Sequence, residues 1–472
     1  MAILFSLVLF CLSWLWTPHA LAAESQSEPQ FQGIPLSCYV SVSQSQPLTS
    51  EPSPEQESAQ NLAQSFTLLD IADKYISAKL PDRATELLDQ AVELAGKGTN
   101  NSAKAYLLVD VADRYRQTDH QQTALATLAK AFTLVKGFTN QIDRVFATVK
   151  IARAYDQLGE RDKAQRMLKQ SLVAAKDIVD VYGKSRAYDA IASGLTAVGD
   201  KDSASESVAK GIEYARMALD TPSRARALLE VAATYAELQD HPQAIRYTQL
   251  ALDTVRQEIP QIYQQDFNAR ALALIVERYL ATNQPEQAEQ VLTNIPDTSI
   301  EKGIGLLNLS SRYRKSGDKA KAEAVIDQSL SKISALPDSL DKSAVLSEIA
   351  EGYKLLDNLP KSAEVLAQSA KVVQTLTSVP EKIYALTSLA SLYADRQELD
   401  TAKTYLDQAL DLIVQAESTK PLPNRERALA DVAGLYWQSG DREKALTLAD
   451  QLQPGLQKSQ ITALFACAKQ DS

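Results

Sequence analysis

Residues 105–128 read AYLLVDVADRYRQTDHQQTALATL, and this stretch decides the fold. Seven, four and three residues before Tyr115 stand Leu108, Val111 and Ala112. That spacing puts them on one stripe of an α-helix. Nine and thirteen residues after Tyr115 stand Ala124 and Leu128, which share a face of a second helix. The stretch at 145–168, VFATVKIARAYDQLGERDKAQRML, lies forty residues on and repeats the pattern around Tyr155, with Ile151, Ala152, Ala164 and Leu168.

Working outward, the anchors are Tyr75, Tyr115, Tyr155, Tyr235, Tyr279, Tyr313, Tyr353, Tyr393 and Tyr436, with Leu195 in the one gap. Most steps between them are 40 residues. The position three before the anchor is mostly Ala, and Ala stands nine after every anchor except Tyr353, where Ser362 takes its place. Gly159, Gly199, Gly317 and Gly440 each follow an anchor by four, where a helix end favours positive φ. Asp200, Asp318 and Asp441 come next and can cap the second helix. Self-similarity at this period predicts a solenoid in which each helix pair buries its apolar face on its neighbours. The predicted fold is all-α: a right-handed superhelical solenoid of about ten antiparallel pairs over 61–472. The amphipathic segment after Pro454-Gly455 is read as a C-terminal capping helix.

The pattern Leu-x-x-Val/Ile-Ala-x-x-Tyr-x-x-x-Gly, followed by Ala and Leu on a second helix, resembles the tetratricopeptide repeat family. Two features depart from it: most units are 40 residues long, and Leu stands where the family has Trp. The resemblance implies a protein-binding array whose first helices line a concave face, with ligand contacts nine, six and two residues before the anchor. The positions nine before it include Phe66, Tyr106, Phe146, Arg186, Arg226 and Arg270. Such a groove would be aromatic at its start and cationic in its middle, fit to grip carboxylates or phosphates of an extended ligand. The plainer reading is that the aromatics pack between first helices, while Arg186 pairs with Asp189 and Arg226 with Glu230. No Asn stands two before an anchor, so the family's clamp for a terminal carboxylate is not carried over.

The flanks read differently. Residues Ala2 to Trp16 carry no charge, and Ala20-Leu21-Ala22-Ala23 supplies small residues at A-x-A spacing. Residues 1–23 are read as a secretory signal peptide cleaved after Ala22 or Ala23; the alternative is an uncleaved anchor. Residues 24–60, rich in Ser, Gln, Pro and Glu, are expected to form a disordered tether. Breaks are expected near 256–268 and 417–425, around Pro260, Pro421 and Pro423. Cys11 leaves with the signal, and Cys38 and Cys467 are expected to be unpaired.

The net charge of −10 argues against a general nucleic-acid binder, which needs a basic face. Past the signal, His120 and His241 fall in inter-helix turns, and no metal-ligand, phosphate-loop or nucleophile-elbow motif occurs. The sequence therefore predicts no metal, no cofactor and no catalysis. It predicts a periplasmic or extracellular scaffold for an unidentified protein or peptide. The alternatives are a membrane-tethered envelope assembly factor and a binder of an anionic envelope polymer.

Overall fold

The computed structural model describes residues 29–470 apart from 32, 45–52, 219, 259–260, 420–421 and 423. Residues 1–23, read from sequence as a signal peptide, lie outside the described residues, as do Pro260, Pro421 and Pro423. Ahead of the array, β1 (Gln30–Phe31) and β2 (Ile34–Pro35) form a small antiparallel hairpin that leads into α1 (Leu36–Gln44).

Ten helix pairs follow in order. They are α2 (Pro54–Ser77) with α3 (Pro81–Lys97), α4 (Asn101–Gln117) with α5 (Gln121–Lys136), and α6 (Gln141–Gln157) with α7 (Arg161–Lys176). Next come α8 (Val181–Ala197) with α9 (Lys201–Met217), α10 (Thr221–Glu237) with α11 (His241–Glu258), and α12 (Gln261–Ala281) with α13 (Pro285–Leu292). Then come α14 (Ile300–Lys315) with α15 (Lys319–Ser334), and α16 (Leu340–Leu355) with α17 (Leu359–Thr375). The last are α18 (Val379–Asp395) with α19 (Leu399–Thr419), α20 (Arg425–Gln438) with α21 (Arg442–Gln451), and the terminal α22 (Leu456–Gln470). The packing divides the described chain into two units, 53–322 and 29–44 with 323–470.

The anchor rule holds at the level of burial. Tyr115, Tyr155, Tyr279, Tyr353 and Tyr436 are almost fully enclosed, Tyr75, Tyr313 and Tyr393 are buried, and Tyr235 is half-buried. The Ala nine residues past each anchor is 0% exposed wherever it occurs, from Ala84 to Ala445, so any larger side chain there would overfill the contact between paired helices. Where Ser replaces a small apolar residue, its hydroxyl finds the partner helix: Ser310 Oγ donates to the Ala322 carbonyl, and Ser362 Oγ to that of Ala350.

Every intra-pair turn is built the same way. The residue four past the anchor has positive φ, and the next N–H returns to the anchor carbonyl at 2.8–3.0 Å. This is the Schellman arrangement, which satisfies carbonyls that a helix end would leave open. Glycine supplies the left-handed residue at four turns; Lys79, Asp119, Gln239, Asn283, Asp357 and Gln397 do so at the other six. Lysines near the start of first helices reach back to carbonyls at the end of the preceding second helix. Lys104 Nζ donates to Gly98 O at 2.9 Å, Lys184 Nζ to Lys176 O at 2.7 Å, and Lys342 Nζ to Leu336 O at 2.6 Å. Each ammonium thus lies at the negative end of a helix dipole.

Two expectations about the flank are corrected. Residues 24–60 are not a tether throughout, because α2 starts at Pro54 and β1, β2 and α1 precede it. Ser53 and Gln56 form a capping box, Pro54 fits the first helical turn, and Ser58 is buried against Thr99. Cys38 and Cys467 are not unpaired but form a disulfide, with Cα atoms 5.7 Å apart. In that unit α1 packs on α22, burying Ile34, Leu36, Cys38 and Val42, and Trp437 stacks on Phe465 with ring centroids 4.4 Å apart. The apolar residues of 34–42 are too few to form a core alone, so their order depends on a helix more than 400 residues away in sequence.

Candidate functional site

First helices stand side by side within unit 53–322 and are linked along one face by ion pairs. Arg114 grips Asp73 through two bonds of 2.9 and 2.8 Å, and Lys150 reaches Asp110 at 2.7 Å. Each pair spans about one repeat in sequence. Charge on this face is thus used first to fix neighbouring helices, a modest contribution at half-exposed positions.

The six positions read from sequence do not make one groove. Phe66, Tyr106 and Phe146 are half-buried, Arg226 is exposed, and Arg270 is 77% exposed with Nε 3.4 Å from Glu301. Arg186 lies over the Phe146 ring at 5.1 Å and the Tyr182 ring at 5.7 Å, a cation–π arrangement. No ion pair joins Arg186 to Asp189 or Arg226 to Glu230 among the described residues. Of the six, Phe146 and Arg186 line the place where functional side chains converge.

That place is a cleft of about 290 Å³ bounded by α6, α8, α10 and α12. Phe146 and Arg186 stand toward the start of the helices, and Arg153, Ser193, Glu237 and Arg278 toward their ends. Small residues, Ala190 and Ala233, leave the room between them. Glu237 is held from two sides: Arg153 Nη2 is 3.8 Å and Arg278 Nη1 3.5 Å from its carboxylate. Ser193 bridges, accepting from Arg153 and donating to Glu237. Arg153 Nε remains buried without an acceptor.

Asp189 lines the same cleft and is 4% exposed, yet neither carboxyl oxygen has a hydrogen-bond partner. Its room comes from Gly211 on α9, where a Cβ would stand 2.3 Å from Asp189 Oδ1. Burial, reinforced by Glu230, pushes the acid well above the usual carboxylate range. Sequence reading noted Asp189 and Glu230 only as helical neighbours of arginines and passed over Glu237 and Arg278. The available signal was register, since Arg153 and Ser193 stand two before their anchors and Asp189 six before.

His120 and His241 serve their turns. His120 Nδ1 lies 2.7 Å from the Thr118 carbonyl, and the His241 ring packs against Tyr279. Among the described residues no group of His, Cys, Asp and Glu is placed to hold a metal, and no helix is long and apolar enough to cross a membrane.

The fold and this face define the class: an all-α solenoid of successive helix pairs. Residues 147–179, spanning parts of α6 and α7, match the family described as Tetratricopeptide repeat. No curated protein matches the chain. Among solved structures, Ton1535 from Thermococcus onnurineus NA1 is similar at 14% identity and TM-score 0.34, over 78% of this chain and 99% of that one. A Podosopora anserina putative kinesin light chain with nearly identical TPR-like repeats is similar at 18% and 0.30, over 41% and 97%. Yeast Tom70 is similar at 14% and 0.29, over 86% and 95%. Likeness at this level says nothing of what this chain binds.

Proposed function

We propose that the protein is an exported, non-catalytic scaffold that holds an extended segment of a partner protein in the cleft of unit 53–322. The cleft itself carries this reading. Four successive first helices converge there on small residues, with buried polar atoms of Arg153 and Asp189 left unpartnered. Buried polar groups are normally satisfied, so such orphans favour a missing ligand. Export is supported by the apolar run with A-x-A spacing before residue 24, and by the Cys38–Cys467 disulfide, which suits an oxidising compartment.

The test uses the immobilised chain 24–472 and a displayed library of random dodecapeptides. A consensus should be enriched, and it should be lost with Ala233→Trp, which fills the cleft. No enrichment, or a consensus indifferent to Ala233→Trp, would overturn the assignment. Export is tested by N-terminal sequencing of the protein as purified from its envelope: a start near Ala23 or Glu24 supports it, and a retained Met1 argues for a tether.

A further inference from the structure

We infer that the cleft takes a primary ammonium group from the bound segment, a lysine side chain or an N-terminus, and seats it against the carboxyl groups of Asp189 and Glu230. The inference rests on the reading of this cleft as the ligand site and names the chemistry it selects.

Each cation of the cleft already has a carboxylate or aromatic partner, although Arg153 Nε has no acceptor. Lys150 is paired with Asp110, Arg153 and Arg278 share Glu237, and Arg186 lies on aromatic faces. Two carboxyl groups do not. Asp189 has no hydrogen bond to either oxygen, and Glu230 on the next first helix has no ion pair among the described residues. An incoming anion would have to compete with Glu237 for its arginines while facing both acids. An ammonium meets two carboxyl groups and breaks no ion pair of the cleft. It also removes a cost, because a buried carboxyl without a partner is otherwise stable only with its proton on.

The groups facing Asp189 are Arg186 and Ser185 on its own helix, the Ser185 hydroxyl being directed to the Gly211 carbonyl, with Glu230 and Tyr235 on α10. Lys150 on α6 lines the same cleft, and α9 presents Gly211, which has no side chain. Without a cationic partner, burial favours the protonated form of Asp189. When an ammonium arrives, the Asp189 proton leaves to solvent and a charge-assisted pair forms. Binding of a cation therefore strengthens as pH rises, until Asp189 is ionised in the empty protein. Binding of an anion would weaken over the same range, because it would favour the protonated acid.

The probes are n-butylammonium and butyrate, titrated into the full chain with methyl-labelled alanine and read at Ala190 and Ala233 by NMR. n-Butylammonium should shift both methyls saturably, bind tighter at pH 8 than at pH 6, and lose roughly tenfold or more in affinity with Asp189→Asn. Glu230→Gln, at a half-exposed position, repeats the test should the buried variant fold poorly. Tighter binding of butyrate, or n-butylammonium affinity unchanged in both variants, would overturn the inference. Two capped peptide sets separate the sources: N-acetylated peptides with lysine, and free N-terminal peptides with norleucine in its place. A peptide library that enriches a consensus without lysine or a free N-terminus sinks the ammonium and leaves the cleft a peptide site; a library that enriches nothing sinks the peptide site.

Discussion

Tyr115 and Tyr155 occupy equivalent places in adjacent repeats of one unit, and both are buried. Their hydroxyls differ. Tyr115 donates to Asp89 Oδ1 on the second helix of the preceding pair at 2.5 Å, whereas the Tyr155 hydroxyl has no partner. The residue equivalent to Asp89 one repeat later is Ala129, which has no acceptor to offer. Tyr115→Phe should cost about 1 kcal/mol, less than the usual ~1.5–3 kcal/mol for a bond to a charged group, because Asp89 is exposed and water replaces the lost donor. Tyr155→Phe removes a buried polar atom that gains nothing, and should be neutral or stabilise by up to about 1 kcal/mol. The gap between the variants is thus about 1–2 kcal/mol in favour of Tyr155→Phe. Ala129→Asp should then restore the missing bond, with a coupling to Tyr155 of about 1 kcal/mol in the double-mutant cycle Ala129→Asp with Tyr155→Phe. The assay is urea unfolding followed by circular dichroism, all variants in the same chain. If Tyr115→Phe destabilises no more than Tyr155→Phe, or the coupling is near zero, the inter-pair bond is not what distinguishes these anchors.

Further tests use the same measurement. Tyr155→Ala should cost about 3–5 kcal/mol through the cavity it opens, and a loss below about 1 kcal/mol would contradict its place in the core. Gln239→Gly and Gln397→Gly should each stabilise by up to about 1 kcal/mol, because glycine meets positive φ without strain; destabilisation would mean those turns are not left-handed. The Gln165 hydrogen bond, with Lys169 and the Ser203 N–H, holds the Asp200 carboxyl below the usual carboxylate range. A lowered folded pKa gives stability that is present above about pH 4 and is lost as pH falls further. The stability lost in Asp200→Ala at pH 7 should therefore shrink toward pH 2, and a pH-independent cost would refute the ionic contribution. Cys38→Ala with Cys467→Ala should loosen the packing of α1 on α22. After removal of residues 1–23, Trp437 is the one tryptophan left, so its fluorescence reports this change, and a spectrum and midpoint identical to the parent would count against the disulfide as a staple.

The sequence by itself determined the repeat. Tyr, Ala and Gly at fixed offsets specify a helix stripe, a close helix contact and a turn, and each of these is a local property of about a dozen residues. Six turns without glycine escaped notice because left-handed Lys79 or Gln397 carries no distinguishing letter; the turn is imposed by the two helices it joins. The functional face was legible in register but not in identity. The row Arg186, Arg226 and Arg270 was plain in the sequence, yet convergence at the cleft required knowing how far each side chain extends and which neighbour it meets. Only the tertiary structure could turn Arg186 onto Phe146, hold Glu237 between Arg153 and Arg278, and leave Asp189 buried without a partner. The same holds for Cys38 and Cys467. Their pairing spans nearly the whole chain, and no local pattern of charge, turn or period encodes a contact at that separation. Local spacing fixes which faces are apolar, whereas which polar groups end up desolvated together depends on packing between segments distant in sequence.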